Sequence, residues 1–166
     1  KEKQDAQVIK ALVYMTGLQQ QTREAAGTKA IAEIEAEITK MGQPAASLLK
    51  SYLAGLYLQY LQQARWKIYE RTSTIGFDKK DIATWSADDF NSRITDLYLQ
   101  SLQPEKKLKA TGLKAYDAII DKGNVRHLRP TLYDLLAHRA LDYFKSGERE
   151  LNKPVYAFEI TSPQAF

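Results

Sequence analysis

Cysteine is absent from the 166 residues, which removes a disulfide framework, a thiolate nucleophile and a Cys-ligated zinc site together. Histidine is almost absent. His127 and His138 stand on either side of Pro130 with neither an i, i+4 spacing nor an HExxH string, so no metal site is expected. No apolar run approaches the roughly 18 residues of a membrane span, and the opening KEKQDAQ has no signal-peptide core. GxSxG, GxxxxGK and GxGxxG are all missing, which leaves a hydrolase elbow or a nucleotide-cradling loop without support. A dominant charge is lacking too: 24 Lys and Arg lie scattered among 20 Asp and Glu. They form no basic stripe, and nucleic acid is not an expected partner. No cofactor is expected.

Apolar residues at 44% and charged residues at 27% place the chain among globular proteins, and its length suits one domain spanning 1–166. The sequence has no initiator Met and begins in mid-pattern, so it is expected to be a piece of a longer, multidomain protein. Helical periodicity dominates. Val8, Ala11, Leu12, Met15 and Leu18 predict the apolar stripe of a first helix, with Asp5 as N-cap. Ile31, Ile34 and Ile38 predict a second over Thr28 to Met41, stopped by Gly42, the two forming a helical hairpin.

The third and longest helix runs from near Pro44 to about Glu70. Leu49, Leu53, Leu56, Tyr60 and Ala64 share one face, beside Tyr57, Leu61 and Ile68, and make it the central buried element. Its tyrosines bring hydroxyls that need partners. After a polar break from Arg71 to Ala83, Ser86 or Ala87 opens a fourth helix through Phe90, Ile94, Leu97, Tyr98 and Leu102, ended by Pro104. A short helix between loops is expected within Lys106 to Asp121. Pro130 then opens a helix through Phe144, with Gly147 as its stop, and KPVYAFEI at Lys153 to Ile160 alternates like an extended segment or short strand. The expected fold is all-α, an irregular array of antiparallel helical hairpins of tetratricopeptide-like character, although no self-similarity at about 34 residues is present.

Candidate chemistry is sparse. Asp134 and His138 are one helical turn apart and predict a hydrogen bond along the helix; an acid/base role would require a nucleophile within roughly 3 Å of them. Asp78, Asp81, Asp88 and Asp89 lack calcium-loop spacing and read as helix caps, Glu33 with Glu37 as a solvated face, and Lys106, Lys107, Lys109 and Lys114 as solvated surface. Trp66, Tyr69, Arg71, Trp85, Arg129, Tyr133 and Asp134, with His138, are costly polar and aromatic choices next to core positions. They predict a buried network tying the third, fourth and Arg129–Phe144 helices together, with Arg paired to a carboxylate such as Asp134, or else an interaction surface.

QDAQVIKALVYM at Gln4 to Met15, YLAGLYLQYLQQARWKIYERT at Tyr52 to Thr72, DIATW at Asp81 to Trp85 and RPTLYDLLAHRALDYF at Arg129 to Phe144 resemble the N-terminal helical region of bacterial alpha-2-macroglobulin-family proteins. The likeness covers nearly the whole chain, is strongest in the last string and includes KPVYAFEI and SPQAF. The resemblance implies a very large cell-envelope protein of the periplasm, often lipid-anchored, whose domains enclose proteases, in many members with a Cys-Glu thioester. This segment has no Cys and no recognisable bait region, so it would serve as a non-catalytic helical scaffold or interaction domain. Its partners would be the parent's other domains, proteases through the parent, and a membrane only through an anchor elsewhere. The competing expectation is a stand-alone tetratricopeptide-like adaptor that holds a peptide in a groove lined by aromatics with Asn or Arg.

Overall fold

The computed structural model describes residues 2–22, 26–69, 81–120, 123 and 126–148. Seven α-helices occur among them: α1 (Glu2–Thr22), α2 (Ala26–Lys40), α3 (Ala45–Gln63), α4 (Arg65–Tyr69), α5 (Ala87–Ser101), α6 (Glu105–Ala110) and α7 (Leu132–Lys145). The fold is all-α, and the single β pairing among the described residues is an isolated bridge between Gly112 and Thr131. The extended segment expected at Lys153 to Ile160 lies outside the described residues, as does most of the polar break.

α3 is the centre, as its leucine-rich stripe predicts. Leu49, Leu53, Ala54, Leu56, Tyr57 and Leu61 are buried along it, and α2, α5, α7 and α1 pack around it. α2 runs antiparallel to α3, so that Gly27 at its start faces Tyr60 near the end of α3; a Cβ on Gly27 would stand 3.0 Å from the Tyr60 ring. α5 is antiparallel as well. Ser47, early in α3, donates to the carbonyl of Gln103 just beyond α5 at 2.6 Å, while Tyr60, late in α3, stacks on Phe90 early in α5. α7 runs the same way as α3, with Arg139 bonded to Ser51 and Glu148 to Gln62.

The stripes of α2 and α5 turn the expected side chains inward: Ile31, Ile34, Phe90 and Ile94 are fully buried. α1 does not. Its buried residues are Ala6, Ile9 and Thr16, with Leu12 and Val13 half-buried, whereas Val8, Met15 and Leu18 are 43%, 50% and 63% exposed. Apolar residues occur on more than one side of this helix, so periodicity alone does not choose its rotation. Thr16 does: its hydroxyl lies 2.6 Å from that of Tyr52 on α3, which turns Ile9 into the core and Val8, Met15 and Leu18 of the predicted stripe outward, with Leu12 at the edge. Asp5 is inside the helix, not its cap.

Three further boundaries differ from the sequence expectation. The third helix gives way at Ala64, whose residue takes a turn conformation before α4 resumes. The stretch after Pro104 holds α6 and then a short 3-10 turn over Leu113–Tyr116. α7 begins at Leu132, two residues later than a helix opened by Pro130. Thr131 is the N-cap, because Thr131 and Asp134 form a reciprocal capping box, and the Pro130 carbonyl instead accepts from the Leu113 amide at 3.4 Å. Gly147 does end α7, in the left-handed conformation at φ 69° that a glycine adopts without steric penalty.

Candidate functional site

Of the eight residues singled out by sequence, the seven that are described do not converge into one network. Trp66 is 86% exposed on α4, because its neighbour Ile68 takes the inward position of that short helix. Arg129 is exposed and Arg71 lies outside the described residues. Asp134 is spent on the helix start: its Oδ2 accepts from the Thr131 amide at 3.0 Å and the Thr131 hydroxyl at 2.7 Å. The expected Asp134–His138 and Asp134–Arg pairings therefore give way to the cap, and His138 is half-buried on α7. Tyr133 lies under the Lys109 ammonium at 5.0 Å, and Lys109 is held by Glu105 on its own helix, which raises its pKa.

Tyr69 is half-buried with the Arg65 guanidinium over its ring at 5.8 Å. Its hydroxyl oxygen is buried without a hydrogen-bond partner among the described residues, and burial pushes its pKa up. Of the acidic cluster, Asp81 caps a 3-10 turn through the Ala83 amide at 2.9 Å and Asp89 completes a capping box with Ser86, as expected of caps; Asp78 is outside the described residues.

One predicted residue, Trp85, belongs to a cluster the sequence does not announce. Its indole stacks parallel on Tyr57, with centroids 5.5 Å apart, and tilts against Phe90 at 5.2 Å. The Tyr57 ring is buried, and its hydroxyl donates to Glu35 Oε1 at 2.9 Å; Arg93 Nη2 donates to the same oxygen at 2.6 Å. The guanidinium also covers the Tyr57 ring at 6.0 Å. α2 thus supplies the carboxylate, α3 the phenol, α5 the cation, and the segment before α5 the indole.

Electrostatics follow from that arrangement. Burial raises the Tyr57 pKa, the Glu35 charge and hydrogen bond raise it further, and Arg93 opposes them only in part. Burial works against the charge on Arg93, yet Glu35 and Tyr57 together lift its pKa above the ordinary value. The phenol stays protonated and the guanidinium charged, which suits a clamp and not a proton-transfer centre. Helical spacing leaves Glu35, with Glu33 and Glu37, on the surface not taken by Ile31, Ile34 and Ile38, and nothing local marks Arg93. The available signal was Tyr57 itself, a phenol inside a leucine stripe whose hydroxyl has to find a partner.

A second set of polar contacts fastens α7. Arg139 Nε donates to the Ser51 hydroxyl at 2.9 Å, the Tyr143 hydroxyl lies 3.3 Å from Asn91 Oδ1, and Glu148 receives Gln62 Nε2 at 3.0 Å and Arg65 Nη2 at 2.9 Å. Between them lies an open cleft of about 310 Å³ lined by Leu58, Gln62, Tyr98, Arg139, Asp142 and Tyr143, among others. Burial raises the Tyr98 pKa there, with Arg139 opposing it and Asp142 adding to it. Among the described residues no group of three or more His, Asp or Glu could hold a metal ion, and no helix is long and apolar enough to cross a membrane. Comparison with protein-family models, curated proteins and solved structures finds no match to this chain.

Proposed function

We propose that the chain is a non-catalytic helical scaffold and interaction domain of a bacterial alpha-2-macroglobulin-like broad-range protease inhibitor, acting in the periplasm or cell envelope. The family part of the reading is supported by the resemblance of RPTLYDLLAHRALDYF and the three companion strings. The interaction part is carried by the outer side of α1. Val8, Tyr14 and Met15 lie within one side of that helix at 43%, 61% and 50% exposure, and such an apolar surface on a folded domain marks a contact face. A neighbouring domain of the same polypeptide is its proposed occupant. Polar side chains elsewhere fasten helices to one another, as Glu35 and Arg93 do.

The reading is tested on the endogenous protein, captured with antibodies raised against this domain and mixed with trypsin. Retention of active protease that cleaves small substrates but not large ones supports it; free trypsin with unchanged activity on both sinks it. The cleft beside Arg139, Tyr98 and Tyr143 favours a second reading, a tetratricopeptide-like adaptor for an extended peptide. Under that reading a peptide library selects a consensus whose binding is lost in Arg139→Ala.

A further inference from the structure

The formal charge of +4 is not spread over the chain. Setting aside Asp121 and Lys122, which cancel, the stretch from Pro104 to Thr131 carries Lys106, Lys107, Lys109, Lys114, Arg126 and Arg129 against Glu105 and Asp117. That surplus equals the whole net charge, so the remainder of the chain is balanced. By sequence the lysines read as solvated surface, apart from the two arginines. The fold joins them. The Leu132 amide donates to the Thr111 carbonyl at 2.8 Å and the Leu113 amide to the Pro130 carbonyl, beside the bridge between Gly112 and Thr131. The segment after α6 and the segment before α7 therefore run side by side, and every surplus cation lies on one or the other.

Both acids of this pole are neutralised within it, Glu105 by Lys109 and Asp117 by Arg126. Lys106, Lys107, Lys114 and Arg129 are left exposed and make no ion pair among the described residues. Lys114, Arg126 and His127, with Leu113 and Pro130, line an open hollow of about 490 Å³. Leu128 stands between His127 and Arg129 with 68% of its surface in water. Unneutralised cations, a hollow with a cationic lining and a projecting leucine together match a layer of phosphate groups lying over hydrocarbon. A single-stranded nucleic acid would need open rings on which to stack its bases. Tyr116 is fully buried and Tyr133 is covered by Lys109, so this pole offers none among the described residues.

We propose that the pole formed by Glu105–Asp117 and Arg126–Thr131 docks on a bilayer containing anionic phospholipid, with a headgroup phosphate in the hollow of Lys114, Arg126 and His127 and Leu128 entering the acyl boundary. The contact is separate from any lipid anchor and does not rest on the proposed family. Its test adds the full 166-residue chain to phosphatidylcholine vesicles prepared with or without phosphatidylglycerol and measures the bound fraction by co-sedimentation. Phosphatidylglycerol should raise affinity on the order of several hundred-fold, about fivefold for each of the four unpaired cations, and added salt should release the protein. Lys106→Gln with Lys107→Gln and Lys114→Gln should weaken binding about a hundred-fold, with the helical circular dichroism unchanged. Lys29→Gln with Lys67→Gln and Lys145→Gln removes the same charge from exposed positions at the opposite end of α7, about 20 Å away and beyond the screening length, and should leave binding nearly intact. Emission from Leu128→Trp, in a chain with Trp66→Phe, should move to the blue as phosphatidylglycerol vesicles are added. No binding to those vesicles overturns the proposal, and so do equal losses in the two triple variants or an emission that does not move. Binding to a DNA oligonucleotide as tight as to the vesicles at the same salt marks a general polyanion surface and overturns it as well.

Discussion

Tyr57 joins three helices through one side chain: its ring is buried against Trp85 and Phe90, and its hydroxyl meets Glu35 beneath Arg93. Tyr57→Phe keeps the ring and removes one hydrogen bond to a carboxylate. It is expected to cost about 1 kcal/mol at pH 7, since the Glu35–Arg93 pair is more than a third exposed and partly screened by solvent. Urea denaturation measures the loss. The pH dependence has a definite sign. The folded state holds the Tyr57 proton more tightly than the unfolded chain, so the stabilisation is complete below the unfolded value of about pH 10 and declines as pH rises above it. Above about pH 10 stability should fall less steeply in Tyr57→Phe than in the parent; equal slopes contradict a raised phenol pKa. Gly147→Ala places a Cβ at φ 69° and should cost about 1 kcal/mol, read by the same titration.

α7 buries Leu132, Leu136, Ala140 and Tyr143 and carries a capping box at its start. Thr131→Ala removes the hydroxyl that accepts the Asp134 amide at 3.2 Å and donates to the Asp134 carboxylate, and should cost about 1 kcal/mol. Asp134→Ala should cost a similar amount, and the two together little more than either alone, because they form one box. A double-mutant cycle by thermal unfolding checks that coupling. In the core, Phe90→Ala empties a site touching Tyr57, Tyr60 and Trp85 and should cost about 3–5 kcal/mol. These elements also show what the sequence can and cannot convey. Ile31 and Ile34, or Phe90 and Ile94, stand on helices with one apolar side, so spacing alone turns them inward. α1 has apolar residues around most of its circumference, and a single tertiary bond from Thr16 to Tyr52 selects the buried side. Asp134 is ambiguous for a similar reason: one carboxylate can face His138 along the helix or Thr131 at its start, and only the backbone amides left over at the N-terminus decide it. The cluster of Glu35, Tyr57, Trp85 and Arg93 comes from four separate stretches of chain, which local pattern cannot bring together.

The described residues form a set of helices wrapped round α3, with three ion pairs fastening separate elements: Glu35 with Arg93, Glu148 with Arg65, and Asp117 with Arg126. Among the described residues, the exposed large apolar side chains are Val8, Tyr14, Met15 and Leu18 on α1, Trp66 on α4, Leu99 on α5, Leu128, and Leu141 on α7, with half of them on α1. That distribution supports a domain built to be packed against. As the scaffold of a macroglobulin-like inhibitor it would be one part of a far larger envelope protein. The direct measurement is the intact mass and location of the endogenous protein, by immunoblot of fractionated source cells with antibodies raised against this domain. The proposal predicts a band many times larger than 18.9 kDa in the envelope fraction; a species near 18.9 kDa in the cytoplasm contradicts it.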